Sequence, residues 1–324
     1  MMLRLWAVLW TGAAALAGSL GCSSVAQNAG PEAGAAGISG STSVGGGGAD
    51  HGHSAGSVGS TGGAGSASSA CLEHPPARHA QGSVLSLPLQ LVMAGKPFVF
   101  GQPNLLADGG SLVPLNLRFY ISEVELLPAD GEQPVAVDIV TEQGDPAPYG
   151  VYLFNAEDEQ ASALRVLAPP GQYSGLSFAL GIKLSCNQQM PASLSEPLTD
   201  TSQMTWPHAG GFLFLRYEGR YMADGSGGAA TADSSAEYPP AVHMGGNISK
   251  ELVPRVIVAG ALSVSAGGTL EKSLSVAMDE IFKGATSDLD ISDVSVGLLS
   301  APSAQAGERL RRELPGLQAF VLDP

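Results

Sequence analysis

Gly211-Phe212-Leu213-Phe214-Leu215-Arg216-Tyr217-Glu218-Gly219-Arg220-Tyr221-Met222 is the stretch whose reading decides the fold. At a side-chain period of two, Phe212, Phe214 and Arg216 fall on one face, and Leu213, Leu215 and Tyr217 on the other. Aromatic residues at this density suit a pleated surface, and apolar weight on both sides predicts a strand partly buried on each face. The same signal recurs outward along the chain. Short apolar or alternating runs stand between Gly, Pro, Asp and Ser clusters at Val84 to Met93, Leu112 to Leu127, Ala136 to Thr141, Gly171 to Leu184, Arg255 to Ser265 and Leu270 to Val276. Helical spacing is scarce and predicts short helices over Ala156 to Val166, Met278 to Lys283 and Gly307 to Leu314. No repeat of solenoid or propeller length is present. The expected fold is all-β, an antiparallel β-sandwich or distorted barrel with a few short helices, occupying residues 71–324.

What precedes that domain reads differently. Residues 1–21 carry one charge, Arg4, and an apolar stretch from Leu5 to Leu20, as an export leader does. Ser19-Leu20-Gly21-Cys22 resembles a bacterial lipobox, so the mature chain is expected to begin at an acylated Cys22, anchored to the outer membrane on its periplasmic or surface side. Of residues 29–70, 32 of 42 are Gly, Ser or Ala, a composition that cannot bury enough apolar surface to offset the entropy of ordering. Residues 22–70 are therefore expected to be a disordered tether. Gly52-His53-Ser54-Ala55-Gly56 fits a nucleophile-elbow pattern but lacks the strand and helix that would position its serine.

Charge and cysteine content exclude several classes. The 324-residue chain has 30 acidic and 15 basic residues, a formal charge of −15, with only 14% of its residues charged. Nucleic-acid binding needs basic clusters, and the only dense one, Arg309, Arg311 and Arg312, reads as the face of a short helix. Three cysteines without a two-residue spacing offer neither a zinc ribbon nor a thioredoxin-type site. With Cys22 acylated, Cys71 and Cys186 remain, and an oxidising exported setting predicts that they pair.

Chemistry concentrates at Trp206-Pro207-His208 and, beyond a polar loop at Ala223 to Glu237, at Ala241-Val242-His243-Met244-Gly245-Gly246. Pro207 biases Trp206 towards an extended backbone, which would put the rings of Trp206 and His208 on one face. A strand, the polar loop and a return would bring His243 beside them. Two neutral imidazoles suit copper, zinc or nickel, with copper highest in affinity. An intact indole donates its N–H and offers no usable lone pair, so Trp206 as encoded is no ligand. The residues by themselves fit a core tryptophan and two ordinary histidines, as in a non-metal structural or interaction lipoprotein of the envelope, better than a metal site.

Several segments, in order, resemble the MbnP-like family of exported copper-binding proteins. Leu117-Arg118-Phe119-Tyr120-Ile121-Ser122 is similar to its apolar-Tyr-Ile-Ser strand, and Gly171-Gln172-Tyr173 with Phe178-Ala179-Leu180-Gly181-Ile182 to its Gly-x-Tyr and strand-Gly run. Pro197-Leu198 follows, then Met204-Thr205-Trp206-Pro207-His208 through Gly211-Phe212, and then His243-Met244-Gly245. The resemblance implies a mononuclear copper site in which Trp206, oxidised to kynurenine, joins His208 and His243. It also implies a partner, an exported MauG-like di-haem peroxidase, as the oxidant, and a protein that is not itself an enzyme but acquires or handles copper. His243 is assigned from its Met-Gly context, with His74 and His79 as reserve candidates. Relatives with a four-cysteine pattern have a cysteine where Phe100-Gly101 stands here.

Overall fold

The computed structural model describes residues 71–78, 82–105, 110–158, 163–206, 211–222, 241–245, 253–285 and 301–323. Cys22, the expected leader and tether, His79, His208 and the polar loop at Ala223 to Glu237 lie outside the described residues. No helix among the described residues is long and apolar enough to cross a membrane.

The chain enters with β1 (Ser83–Leu87) and β2 (Leu89–Met93), continues through the short β3 (Lys96–Pro97) and β4 (Asn104–Leu105), and then runs the 18-residue β5 (Ser111–Pro128). Short pieces follow at β6 (Val135–Ala136), β7 (Asp138–Ile139), β8 (Val151–Asn155) and β9 (Leu164–Ala168), before β10 (Gly171–Leu180) and the single helical turn α1 (Leu184–Asn187). Next come β11 (Leu213–Met222), β12 (Ala241–Gly245), β13 (Arg255–Val264), β14 (Thr269–Glu271) and β15 (Leu274–Ala277). The helices α2 (Met278–Ala285) and α3 (Ala301–Glu313) and the strand β16 (Phe320–Leu322) complete the order.

Among the described residues the fold is mostly β, in three sheets with few short helices and no closed barrel. The largest sheet orders β12-β11-β5-β10-β13, with β4, β6 and β8 also paired to β5. The other two order β14-β1-β9-β7 and β16-β15-β2-β3. Most ladders are antiparallel, as expected, but β1–β14 and β2–β15 are parallel. Their origin is local. The expected strand Val84 to Met93 is two strands split at Pro88, which has no backbone N–H to give to a ladder. The chain changes sheets there, and β14 and β15 change with it: Lys272 N–H donates to the Ser86 carbonyl, and Leu274 N–H to that of Pro88.

The expected helix over Ala156 to Val166 is not formed at its C-terminal end, where Leu164, Val166 and Ala168 are buried and alternate with half-buried residues in β9. That alternation, satisfied by a full antiparallel register with β1, overrides the weak helical spacing. The helix expected over Met278 to Lys283 is present as part of α2, and Gly307 to Leu314 falls on α3 and the turn after it.

β5 is buried on both faces through its centre, where Leu117, Phe119, Tyr120 and Ile121 have no solvent exposure. On the face with Phe119, the ring stacks on Phe154 and meets Phe320 edge-on. Tyr217 meets Phe282 of α2 edge-on. The opposite face, with Arg118 and Tyr120, is covered by the irregular chain between α1 and β11.

β12 is an edge strand of the large sheet, and α3 packs against it. A Cβ placed on Gly307 in α3 would collide with the carbonyl of His243 and meet the Cα of Met244. Helix propensity alone favours Gly307→Ala by about 1 kcal/mol, whereas overpacking costs about 1–3 kcal/mol. The colliding atoms are backbone and cannot swing aside, so overpacking outweighs propensity and we expect a net loss of up to about 2 kcal/mol, read as a lower urea midpoint at unchanged slope. A stabilised Gly307→Ala would contradict the close packing of α3 on β12.

Candidate metal centre

The register of β11 sets which side chains meet. On the β5 side, Arg216 stands directly opposite Arg118. On the β12 side, Leu213 pairs with Gly245 but Leu215 pairs with Met244, so Phe214 is an extra residue and the ladder carries a bulge. Beyond it Arg216 faces His243. Without the bulge His243 would stand opposite Leu215, on the other face, because a one-residue slip inverts a strand. The bulge therefore delivers His243 to the face that holds Arg118, Arg216 and Glu218.

Two arginines directly opposite one another are unfavourable unless anions intervene. Arg118 is paired with Glu157 and donates from Nε to Asn155 Oδ1 at 3.1 Å. Arg216 grips Glu218 with two bonds, Nε to Oε1 at 3.0 Å and Nη2 to Oε2 at 3.0 Å. His243 Nε2 lies 2.9 Å from the same Oε1. The side chains of Arg216 and Glu218 are about 15% exposed and that of His243 is 3% exposed, so water competes weakly for these bonds. Burial by itself pushes the Glu218 carboxyl up. The hydrogen bonds from His243 and Arg216 and the charge of Arg216 outweigh it and hold the carboxyl below its ordinary range.

The same two arginines hold the segment that presents Trp206. Arg118 Nη1 donates to the Ser202 carbonyl at 2.7 Å, and Arg216 Nη1 to that of Gln203 at 2.9 Å. Gln203 has a left-handed backbone, φ 57° and ψ 24°, which turns the chain towards β11. Tyr120, kept protonated by burial, donates to the Pro197 carbonyl and lies 3.1 Å from Ser202 Oγ. Thr205 then bridges Phe212 in an antiparallel pair, with Leu213 N–H on the Met204 carbonyl at 2.7 Å and Trp206 N–H on that of Gly211 at 3.1 Å. Asn187 Oδ1 accepts the Phe212 N–H at 2.7 Å. Cys186, beside Asn187 in α1, is disulfide-bonded to Cys71, with the two Cα atoms 4.7 Å apart.

Trp206 and His243 come together. Their ring centroids are 6.0 Å apart and their planes 83° from parallel, an edge-on contact. The indole nitrogen lies against β12 so closely that a Cβ at Gly245 would collide with it. His208 falls in the span between Trp206 and Gly211 that lies outside the described residues. His74 is exposed ahead of β1, and no hydrogen bond, ion pair or ring contact joins it to Trp206 or His243. Glu218 was not among the residues singled out from sequence. Alternation places it on the Arg216 face, but its meeting with His243 depends on the bulge at Phe214, which has no glycine or proline to announce it.

Copper-site chemistry fits the donors at this place in part. Among the described residues, no three of His, Cys, Asp and Glu are grouped to hold a metal. His243 supplies one imidazole, and the indole of Trp206 supplies no lone pair until its pyrrole ring is opened to an aryl amine. Both Glu218 oxygens are already engaged, so the carboxylate acts here as an acceptor for His243 and Arg216.

Residues 82–300 match the family model described as MbnP. A solved structure, MbnP from Methylosinus trichosporium, is similar at 21% identity over 63% of this chain and 78% of that one, with a TM-score of 0.42. No curated protein matches the chain.

The depressed Glu218 carboxyl has a pH consequence of definite sign. A group whose folded pKa is lower than its unfolded one contributes stability above the unfolded value, about 4.3 for Glu, and loses it as pH falls through the folded value. Glu218→Gln should thus lower the melting temperature at neutral pH and flatten the decline between about pH 5 and pH 3. Parallel melting curves for wild type and variant across that range would show that the carboxylate is not held as described.

Proposed function

Because the chain belongs to the MbnP family, we propose that it is a lipid-anchored copper-binding protein of the bacterial cell envelope, without catalytic activity of its own. It holds a single copper ion through oxidised Trp206, His208 and His243, for copper acquisition or handling. Cys22 carries the lipid, and residues 22–70 tether the domain to the outer membrane. The observation that carries this reading is the edge-on approach of Trp206 to His243 at 6.0 Å, with the indole nitrogen on the open backbone of Gly245.

The coordination chemistry follows from the donors. Imidazole nitrogens and an aryl amine are borderline donors, a set on which copper binds most tightly of the divalent first-row ions. Copper bound there would supply a redox-active cation to be transferred or retained. The chain's own residues do the positioning. Arg118 and Arg216 pin the Trp206 segment by its carbonyls, and the disulfide-anchored Asn187 pins the strand to which that segment returns. Cleaving the indole C2–C3 bond, with oxygen added at both carbons and C2 then lost as formate to leave the aryl amine, consumes oxidising equivalents that the proposed ligands do not supply. Peroxide used by an exported MauG-like di-haem peroxidase is their proposed source.

The test is mass spectrometry and metal titration on protein made with and without such a peroxidase. The Trp206 peptide should carry oxygen only in the co-expressed sample, and that sample should retain about one copper per chain after dialysis. Trp206→Phe, His208→Ala and His243→Ala should each weaken copper binding by more than about 100-fold, beyond the loss typical of outer-shell partners. Zinc binding should depend less on residue 206. Equal copper affinity of oxidised and unoxidised protein, or normal binding by His208→Ala, would sink the proposed site.

A further inference from the structure

Glu218 and Arg216 have no part in the ligand set above, yet Glu218 is hydrogen-bonded to the His243 side chain and Arg216 holds Glu218. Both carboxylate oxygens are occupied by the Arg216 guanidinium, and Oε1 also faces His243 Nε2 at 2.9 Å. A carboxylate gripped in this way is ionised and has no proton to give, so the shared hydrogen belongs to the imidazole and Nε2 is the donor. A neutral imidazole carries one N–H. With that hydrogen on Nε2, the lone pair is on Nδ1, and no hydrogen bond to Nδ1 is present among the described residues.

Three features make this arrangement rigid. His243 is 3% exposed and its backbone is pressed by Gly307 of α3, so the ring has little room to turn over. Glu218 sits on the same strand as Arg216, two residues on, and the bidentate grip fixes the carboxylate plane. Arg216 also bonds the Gln203 carbonyl, three residues before Trp206, so one guanidinium sets both the acceptor for His243 and the approach of Trp206. We propose that Glu218 is a positioning residue: its Arg216-held carboxylate fixes the Nε2–H tautomer of His243 and leaves Nδ1 as the metal-binding nitrogen of that residue. The tautomer holds in the metal-free protein. The assignment of Nδ1 to copper rests on the function proposed above.

Long-range proton–nitrogen correlation NMR of metal-free protein labelled with nitrogen-15 in histidine reads the tautomer directly, with His243→Ala identifying the resonances. The expected pattern is a protonated Nε2 and a bare Nδ1 for His243, at neutral pH and without copper. Glu218→Gln, whose amide can accept or donate, should give a mixture of the two tautomers, and the folded wild type decides alone should that variant fail to fold. Copper(I) should shift Nδ1 and leave Nε2 protonated, and Glu218→Gln should lose about 10–100-fold in copper(I) affinity. A protonated Nδ1 in wild type, copper on Nε2, or a Glu218→Gln protein with unchanged tautomer and affinity overturns the proposal. A spectrum of peroxidase-matured wild type, its Trp206 oxidised, that has the expected tautomer and that copper(I) does not perturb instead overturns the copper function, with the carboxylate lock upheld.

Discussion

The backbone ladder of β5 is the constraint on which the rest depends. Five strands, β4, β6, β8, β10 and β11, are hydrogen-bonded to this one segment, and its central side chains are buried on both faces. A strand so placed must be apolar on each side, and Leu117-Arg118-Phe119-Tyr120-Ile121 meets that demand with one exception, Arg118. That exception begins the polar row. A guanidinium that is 6% exposed needs partners, and Glu157, Asn155 and the Ser202 carbonyl supply them. The need to satisfy Arg118 and its cross-strand neighbour Arg216 draws the turn at Ser202 and Gln203 onto the sheet, and Trp206 arrives with it.

Energetically the polar row is a liability turned to positioning. Leaving one of these charged hydrogen bonds unmade costs about 1.5–3 kcal/mol, more than a surface ion pair contributes, so the row resists rearrangement. Replacing buried charges by well-packed apolar residues of the same volume is often neutral or stabilising. What the charged row adds is direction: each guanidinium fork admits few geometries, and each fixes a backbone carbonyl near Trp206.

Much of this was legible from sequence, for a physical reason. Gly211 to Met222, Leu112 to Leu127 and Gly171 to Leu184 are apolar or alternating runs between turn residues, and such runs survive in a single sequence. Neighbours do not. The change of sheets at Pro88 and the parallel pairing of β2 with β15 follow from long-range pairing, which alternation cannot report. At Leu164–Ala168 the alternation is too short to stand against weak helical spacing until β1 pairs with it. At the site, Trp206 and His243 were reached through resemblance and local context, while Glu218 was missed because one extra residue at Phe214 decides its face. A bulge formed by a phenylalanine leaves no local signature.

The central claim is that residue 206 and His243 share one copper ion, and anomalous diffraction at the copper edge from copper-loaded, peroxidase-matured protein tests it most directly. The account predicts one strong peak between the side chain of residue 206 and His243, with Glu218 bound to the opposite ring nitrogen. A peak only elsewhere on the chain, or none in crystals of protein whose Trp206 is fully oxidised, would contradict it.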